Sequence, residues 1–330
     1  MQSTDITVLK QLQQWLKAGH AVWLTTVIST YGSSPRQPGA MCAIRDDGAL
    51  VGSVSGGCIE EDLKEKAQAG VLAKNAIAFL TYGESIEDRD RFRLPCGGTL
   101  RLVVEKITAA NWLDEVLQAI DQRRQIRRQL SLTNRQSHLE AASSGDKPVI
   151  ENAHQLDFVY GPRARLLLIG AGETSSYLAK MASALDYQVL VAEPREEMQL
   201  TWQKADGELL AMMPDDAVIK IKPDSNTCII TLTHDPKLDD MALLEALKSD
   251  AFYIGALGSK RTNAKRRERL TMFDLTAEQI ARLHGPVGLD IGSKTPAEIA
   301  VSILAELVQV RQQAAKQQLQ TPAIRAVSNG

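Results

Sequence analysis

RARLLLIGAGETSSYLAKMASALDYQVLVAEPRE, residues 163–196, reads as a strand, a glycine turn, a helix and a second strand in one unbroken run. LLLI is short, apolar and continuous, as a strand covered on both faces must be. Gly170-Ala171-Gly172-Glu173-Thr174-Ser175 follows it and opens the helix, and Glu193 ends the second strand. This is the context of the dinucleotide fingerprint, with Gly170 for the tight turn, Gly172 for close phosphate approach and Glu193, roughly 20 residues on, for a ribose diol. Ser175 takes the third small-residue position, which needs only little bulk. Glu173 fits less well, because a carboxylate at a helix N-terminus repels a pyrophosphate or takes its place. The pattern specifies a Rossmann fold; a bound NAD(P) or other nucleotide is a separate expectation, since fold does not dictate ligand. Arg195 either meets a 2′-phosphate or is a surface arginine, and the surface reading is preferred.

Downstream, NTCIITLTHDP (226–236) is a buried strand ending in a polar loop, MALLEALKSD a helix, AFYIGALGS a strand with its loop, and KRTNAKRRERL a basic helix. Strands alternating with helices imply a parallel, doubly wound sheet. His234 falls where such sheets place ligands, either as an acid/base or phosphate contact or as a loop histidine bonded to its neighbours. Gly258, Ser259 and Arg261, with Lys260, join a strand to a helix and suit an anion, or form a plain connecting turn. GLDIGSKT (288–295) precedes a last helix with Thr295 as N-cap, Pro296 at N1 and Glu298 at N3, a capping-box start.

Upstream the patterns are mixed. An amphipathic helix (Ile6, Leu9, Leu12, Leu16) leads to the strand AVWLTTVIST, and YGSSPRQPG is a loop. AMCAIRDDGALVGSVSGG reads as a hairpin turning at Asp47-Gly48, CIEEDLKEKAQAG as a helix, and AIAFLTY and TLRLVVEKI as strands. Residues 111–128 are expected to form one helix ending in solvated arginines (Arg123, Arg124, Arg127, Arg128), followed by exposed polar turns. The chain is therefore α/β: an N-terminal mixed α/β domain (1–107), a helix and connecting segment (108–162), and a C-terminal Rossmann-like doubly wound parallel sheet (163–330).

Of four cysteines, Cys42 and Cys228 lie in strands and read as core. Cys58 follows Gly56-Gly57 at the start of a helix, where dipole and free amides favour a thiolate, a metal ligand or a sulfur site. Cys96 precedes Gly97-Gly98, glycines that leave backbone accessible to a ligand. The alternative for both thiols is a small, buried, inert residue. Arg36, in a proline-stiffened loop with two serines, suits an anionic group. There is no CxxC pair or zinc spacing.

With 38 basic against 40 acidic residues the formal net charge is −2, which argues against a protein that coats nucleic acid or an anionic membrane. No apolar run has the length of a membrane span, and the first residues lack the apolar centre of a signal peptide, so a cytoplasmic protein is expected.

Taken together, GSSPRQPGAM (32–41), GSVSGGCIEEDL (52–63), PCGGTL (95–100), LLLIGAGETSSYLA (166–179), THDP (233–236), YIGALGSKR (253–261) and PVGLDIGSKTPAEIA (286–300) resemble the XdhC/CoxI family, accessory proteins of xanthine dehydrogenase and related molybdenum hydroxylases. The resemblance implies a chaperone that binds and protects the molybdenum cofactor (molybdopterin), supports its sulfuration with a cysteine desulfurase as donor, and inserts it into an apo molybdenum hydroxylase of the xanthine or aldehyde dehydrogenase type. It further implies a homodimer and a maturation factor without its own turnover. On that analogy Arg36, Gly56, Gly57, Cys58, Cys96, Gly97 and Gly98 contact the cofactor, with no direct protein ligand to the metal. Gly170, Gly172, Ser175, Glu193, His234, Gly258, Ser259 and Arg261 form the nucleotide or phosphate set. Relatives often carry His where this chain has Glu173, which leaves the Rossmann ligand open between a nucleotide, the pterin phosphate and none. The rival readings are an NAD(P)-dependent oxidoreductase using Cys58 or His234, and an interaction protein with a vestigial Rossmann domain.

Overall fold

A computed structural model describes residues 3–32, 36–92, 98–143 and 146–320. The chain divides into two compact units, Met1–Pro162 and Arg163–Gly330.

The first unit runs α1 (Ser3–Lys17), β1 (Val22–Tyr31), β2 (Met41–Arg45), β3 (Leu50–Gly52), α2 (Cys58–Gln68), β4 (Ile77–Tyr82), α3 (Ile86–Arg91), β5 (Thr99–Ile107), α4 (Asn111–Asp121), β6 (Ile126–Ser131), β7 (Ser137–Ala141), β8 (Val149–Glu151) and β9 (Gln155–Tyr160). Its larger sheet is antiparallel, in the order β3-β2-β1-β5-β4. The central strand β1 is covered on both faces. Val22 and Leu24 join the core with α1 and α4, while Trp23 and Val27 join the core on the α2 face. That double coverage is why AVWLTTVIST is apolar throughout rather than alternating. The β2–β3 hairpin turns at Asp47-Gly48 as its sequence indicates, with Gly48 at φ 86° and the Asp47 carboxylate accepting the Ala49 N–H.

The segment expected to be one helix to Arg128 departs from that reading. Helix α4 stops at Asp121, and Ile126–Ser131 is a strand in a second antiparallel sheet ordered β7-β6-β9-β8. The polar stretch after it supplies β7 rather than turns alone. In β6, Ile126, Arg128 and Leu130 point inward. Arg128 is buried, donates to Glu105 of β5, and lies between the rings of Trp112 and Phe158 at 4.1 and 4.9 Å. A guanidinium stacked on two aromatic faces and paired with a carboxylate keeps its charge inside the protein. It is not a solvated helix end.

The second unit runs β10 (Arg165–Ile169), α5 (Glu173–Ala184), β11 (Gln188–Ala192), α6 (Glu196–Gln199), β12 (Glu208–Leu210), α7 (Pro214–Ile221), β13 (Thr227–Thr231), α8 (Pro236–Ala246), β14 (Tyr253–Ala256), α9 (Lys260–Leu270), α10 (Ala277–Ala281), β15 (Leu283–His284) and α11 (Pro296–Gln320). All six strands are parallel, in the order β12-β11-β10-β13-β14-β15. The order reverses between β10 and β13, the switch point at which open α/β sheets bind ligands. Along β10, Leu166 and Leu168 pack on the α5 and α11 side, while Leu167 and Ile169 pack on the α8 side. The α/β reading, a mixed N-terminal part followed by a Rossmann-like doubly wound sheet, is the fold observed. Among the described residues no helix is long and apolar enough to cross a membrane.

Candidate functional site

In the first unit, strand register gathers the singled-out segments. Tyr31, the last residue of β1, pairs with Thr99, the first of β5. Met41 opens β2 opposite Thr26, Gly52 closes β3 opposite Cys42, and Tyr82 closes β4 opposite Leu100. These termini share one end of the sheet, so the loop carrying Arg36, the Ser53–Gly57 turn and the connection from β4 to β5 all leave from it. Arg36 is half-buried, and Gly98 is buried just before β5. Cys96 and Gly97 lie outside the described residues.

The Ser53–Gly57 turn is not an empty cradle. Glu60, two residues into α2 past Cys58, turns its carboxylate back into it. Oε1 accepts from the Ser53 hydroxyl (2.7 Å) and the N–H groups of Val54 (2.9 Å), Ser55 (2.8 Å) and Gly56 (3.0 Å). Oε2 accepts from the Ser55 hydroxyl and the Gly57 N–H (2.8 Å). Burial raises the pKa of Glu60, but the bonds from the Ser55 hydroxyl, the Ser55 and Gly56 amides and the Ser53 hydroxyl outweigh it, leaving the group at about 2. Cys58 is thereby held as the first residue of α2, half-buried, next to glycines whose absent side chains face open space: a Cβ on Gly56 or Gly57 would meet nothing within 4 Å. Cys42 and Cys228 differ. Burial pushes both thiols up, Cys228 to about 12, so they are inert core residues as read.

In the second unit the loops after β10, β11, β13 and β14 meet at the carboxyl end of the sheet, and the glycines there have unlike roles. Gly170 has φ 100°, and a Cβ on it would lie 2.8 Å from Thr233 Cγ2. Gly172, the N-cap of α5, has an ordinary φ of −81° and nothing within 4 Å of a Cβ. Gly170→Ala is therefore expected to cost about 2–3 kcal/mol, from backbone strain and the Thr233 overlap. Gly172→Ala is expected to stay within about 0.5 kcal/mol, the loss of a fair N-cap being offset by a stiffer unfolded chain. Urea titration of both variants checks the contrast.

Other residues expected to touch a ligand also bond within the chain. The Ser175 hydroxyl donates to the Gly170 carbonyl (2.6 Å), and the Ser259 hydroxyl caps α9 by accepting the Thr262 N–H (3.1 Å). Glu193 is fully buried: Oε1 accepts from Arg195 N–H (3.1 Å) and Nε (2.7 Å), and Oε2 from Ala171 N–H (2.9 Å) and Arg195 Nη2 (2.8 Å). Arg195, read from sequence as a surface arginine, is partly exposed and is the partner of Glu193. His234 and Arg261 are exposed, and Gly258 has φ 133°.

A buried polar network behind these loops has no signature in the sequence. Asp239 accepts from the Thr233 hydroxyl (2.7 Å) and N–H (3.2 Å), and from Arg266 Nη2 (2.8 Å). Arg266 Nη1 also donates to the Leu257 carbonyl (3.0 Å) and to Asn263 Oδ1 (2.9 Å). Asn263 Nδ2 in turn reaches the carbonyls of Gly258 and Ser259 at 3.1 and 3.3 Å. One Asp–Arg–Asn chain thus pins the THDP loop to the GALGS loop. Glu306 does the same for the last loop, accepting the Gly288 N–H (2.5 Å) and pairing with His284 Nδ1 (2.8 Å). Glu298 accepts from the N–H groups of Lys294 and Thr295 as its capping-box position predicts. Among the described residues no group of three or more His, Cys, Asp or Glu is arranged to hold a metal.

Two family models match this chain: the XdhC and CoxI family over residues 15–83, and the XdhC Rossmann domain over residues 166–307. The chain belongs to the XdhC/CoxI family. The first match contains the Arg36 loop, Cys58 and Glu60, and the second contains every carboxylate-filled loop of the parallel sheet. Among XdhC/CoxI relatives, the molybdenum cofactor insertion chaperone PaoD of Escherichia coli is 27% identical over 305 residues, spanning 92% of this chain and 88% of that one. A protein of Bacillus subtilis named as a probable xanthine dehydrogenase component is 24% identical over 319 residues, 88% of this chain and 94% of that one. A crystal structure described as a xanthine dehydrogenase from Bacillus halodurans superposes with a TM-score of 0.71 at 25% identity, covering 95% of this chain and 98% of that one.

Proposed function

We propose that this protein binds the molybdenum cofactor, shelters it and inserts it into an apo molybdenum hydroxylase of the xanthine or aldehyde dehydrogenase type. The observation that carries the reading is the shared end of the five-stranded sheet, where the half-buried Cys58 thiol opens α2 beside two glycines with open space around them. The cargo is an anionic, phosphate-bearing pterin carrying soft sulfur and a metal. A thiol suits its metal–sulfur end, Gly56 and Gly57 leave room for close backbone approach, and Arg36 brings a cation to the same end of the sheet. Gly98, Cys96 and Gly97 complete the set by sequence. Likeness to a relative named an insertion chaperone, over nearly the whole of both chains, supports the same reading. Sulfuration with a cysteine desulfurase as donor, a homodimeric state and a cytoplasmic location belong to it as well. The protein then acts as a maturation factor and has no turnover of its own.

The test is purification without oxygen from cells that make the cofactor, with molybdenum measured by mass spectrometry and the pterin by its fluorescent oxidation product. Metal and pterin are expected to co-purify in near-stoichiometric amounts and to transfer to an apo-hydroxylase. Cys58→Ala should lower loading by roughly tenfold, the scale on which losing a neighbouring group weakens a metal site. No metal and no pterin, even after incubation with excess released cofactor, sinks the proposal. Normal loading of Cys58→Ala removes the thiol from it.

A further inference from the structure

The fingerprint loop of the second unit keeps one half of its usual recognition and has lost the other. At the phosphate half, Gly172 has no conformational need to be glycine and no neighbour to avoid, so the loop admits close approach from outside. At the ribose half the acid is spent. A carboxylate has about four lone-pair sites, and all four on Glu193 are filled, three of them by Arg195 and one by the Ala171 N–H. Glu193 itself is 0% exposed, while the Arg195 side chain is 36% exposed, so the arginine is the member of the pair that meets solvent. A ribose diol arriving at this position finds no acceptor.

We propose that Arg195 is a specificity-determining residue that closes the ribose position of this Rossmann loop, so that a dinucleotide with a free ribose diol, such as NAD+, is refused while the phosphate position stays accessible. The arginine acts as an internal substitute for the diol: it brings its donors to the same two carboxylate oxygens that a ribose would use. This concerns the second unit alone and holds whichever cargo the first unit takes.

The experiment is calorimetric titration of NAD+ and NADP+ into the full chain and into Arg195→Ala. Arg195→Met, which keeps the aliphatic stem, replaces the alanine variant if that one fails to fold. Freed of its partner, Glu193 should tighten NAD+ binding by about tenfold, the worth of one charge-assisted hydrogen bond. NADP+ should gain nothing, because its 2′-phosphate meets the freed carboxylate. Adding Glu193→Ala should abolish the gain. Glu173→Ala, which removes the carboxylate at the first turn of α5, should raise NAD+ affinity in both chains without changing their ratio. Equal NAD+ affinity with and without Arg195 in both backgrounds, whether both chains bind or neither does, overturns the proposal. So does a gain that survives the loss of Glu193.

Discussion

Glu60→Ala is expected to destabilise the first unit by about 4 kcal/mol, because it strands several amides and two hydroxyls that now share one carboxylate. The donors from Ser53 to Gly57 sit in a turn that leaves a strand and enters a helix, so they cannot all swing to water without undoing the start of α2. Glu60→Gln keeps one acceptor oxygen but sets an NH2 group against N–H and O–H donors, and should cost about half as much. Chemical denaturation followed by a probe in the first unit, such as Trp23 or Trp15 fluorescence, measures both; a loss under about 1 kcal/mol in Glu60→Ala would refute the role given to this residue. The same group sets an acid limb. Its pKa falls from 4.5 in the reference state to about 2 in the folded protein. A depressed carboxylate contributes stability that is fully present above its unfolded pKa and is lost as pH drops through the folded one. Stability should therefore decline between roughly pH 5 and pH 2, by up to about 3 kcal/mol from this group, and Glu60→Gln should flatten that decline.

Arg266→Leu is expected to cost about 3–5 kcal/mol, since it leaves the Asp239 carboxylate buried without its counter-charge and also strips the Leu257 carbonyl and Asn263 of a donor. Asp239→Leu added to it should return part of that loss, because the uncompensated charge goes with it. Full recovery is not expected: the Thr233 N–H would still lack its acceptor, although the hydroxyl keeps the Asp235 carbonyl at 2.8 Å. Hydrogen exchange should locate the damage at Thr233 and at Leu257 to Ser259, with β10 and β11 protected as before. Uniform loss of protection across the parallel sheet would mean that Arg266 supports the core at large and not these loops. Arg269 pairs nearer the surface with Asp240, a carboxylate that Arg266 Nε also reaches at 3.3 Å, and is the milder comparison; Arg269→Ala should cost under about 1 kcal/mol.

The parallel half is legible because its signals are local. LLLI, the glycine turn and Glu193 lie within one strand–helix–strand unit, and each loop begins where an apolar run ends. The departure at Arg123 to Arg128 has a physical source: a run of charged residues reads as solvent-seeking, whereas Arg128 is paired across two sheets with Glu105 and stacked on Trp112, contacts that only the tertiary fold creates. The glycine loops announce themselves in the sequence, but not every group that fills them does. For Glu60 a signal exists, since it stands three residues past Gly57, at the same capping-box position that Glu298 occupies. For Asp239 and Arg266 there is none, because residues 27 positions apart on separate helices share no sequence period. In the sequence these glycine turns read as open to a ligand; in the folded chain Glu60, Glu193, Asp239 and Glu306 already accept from several of their amides.

A loop whose donors are satisfied from within has its shape before any guest arrives. Binding then demands little ordering of the backbone, and departure leaves no unsatisfied amides behind. Under the proposed delivery role, the full and empty forms would be alike in backbone. Retention would then rest on a few outward groups such as Cys58, and letting go would require only those contacts to be exchanged.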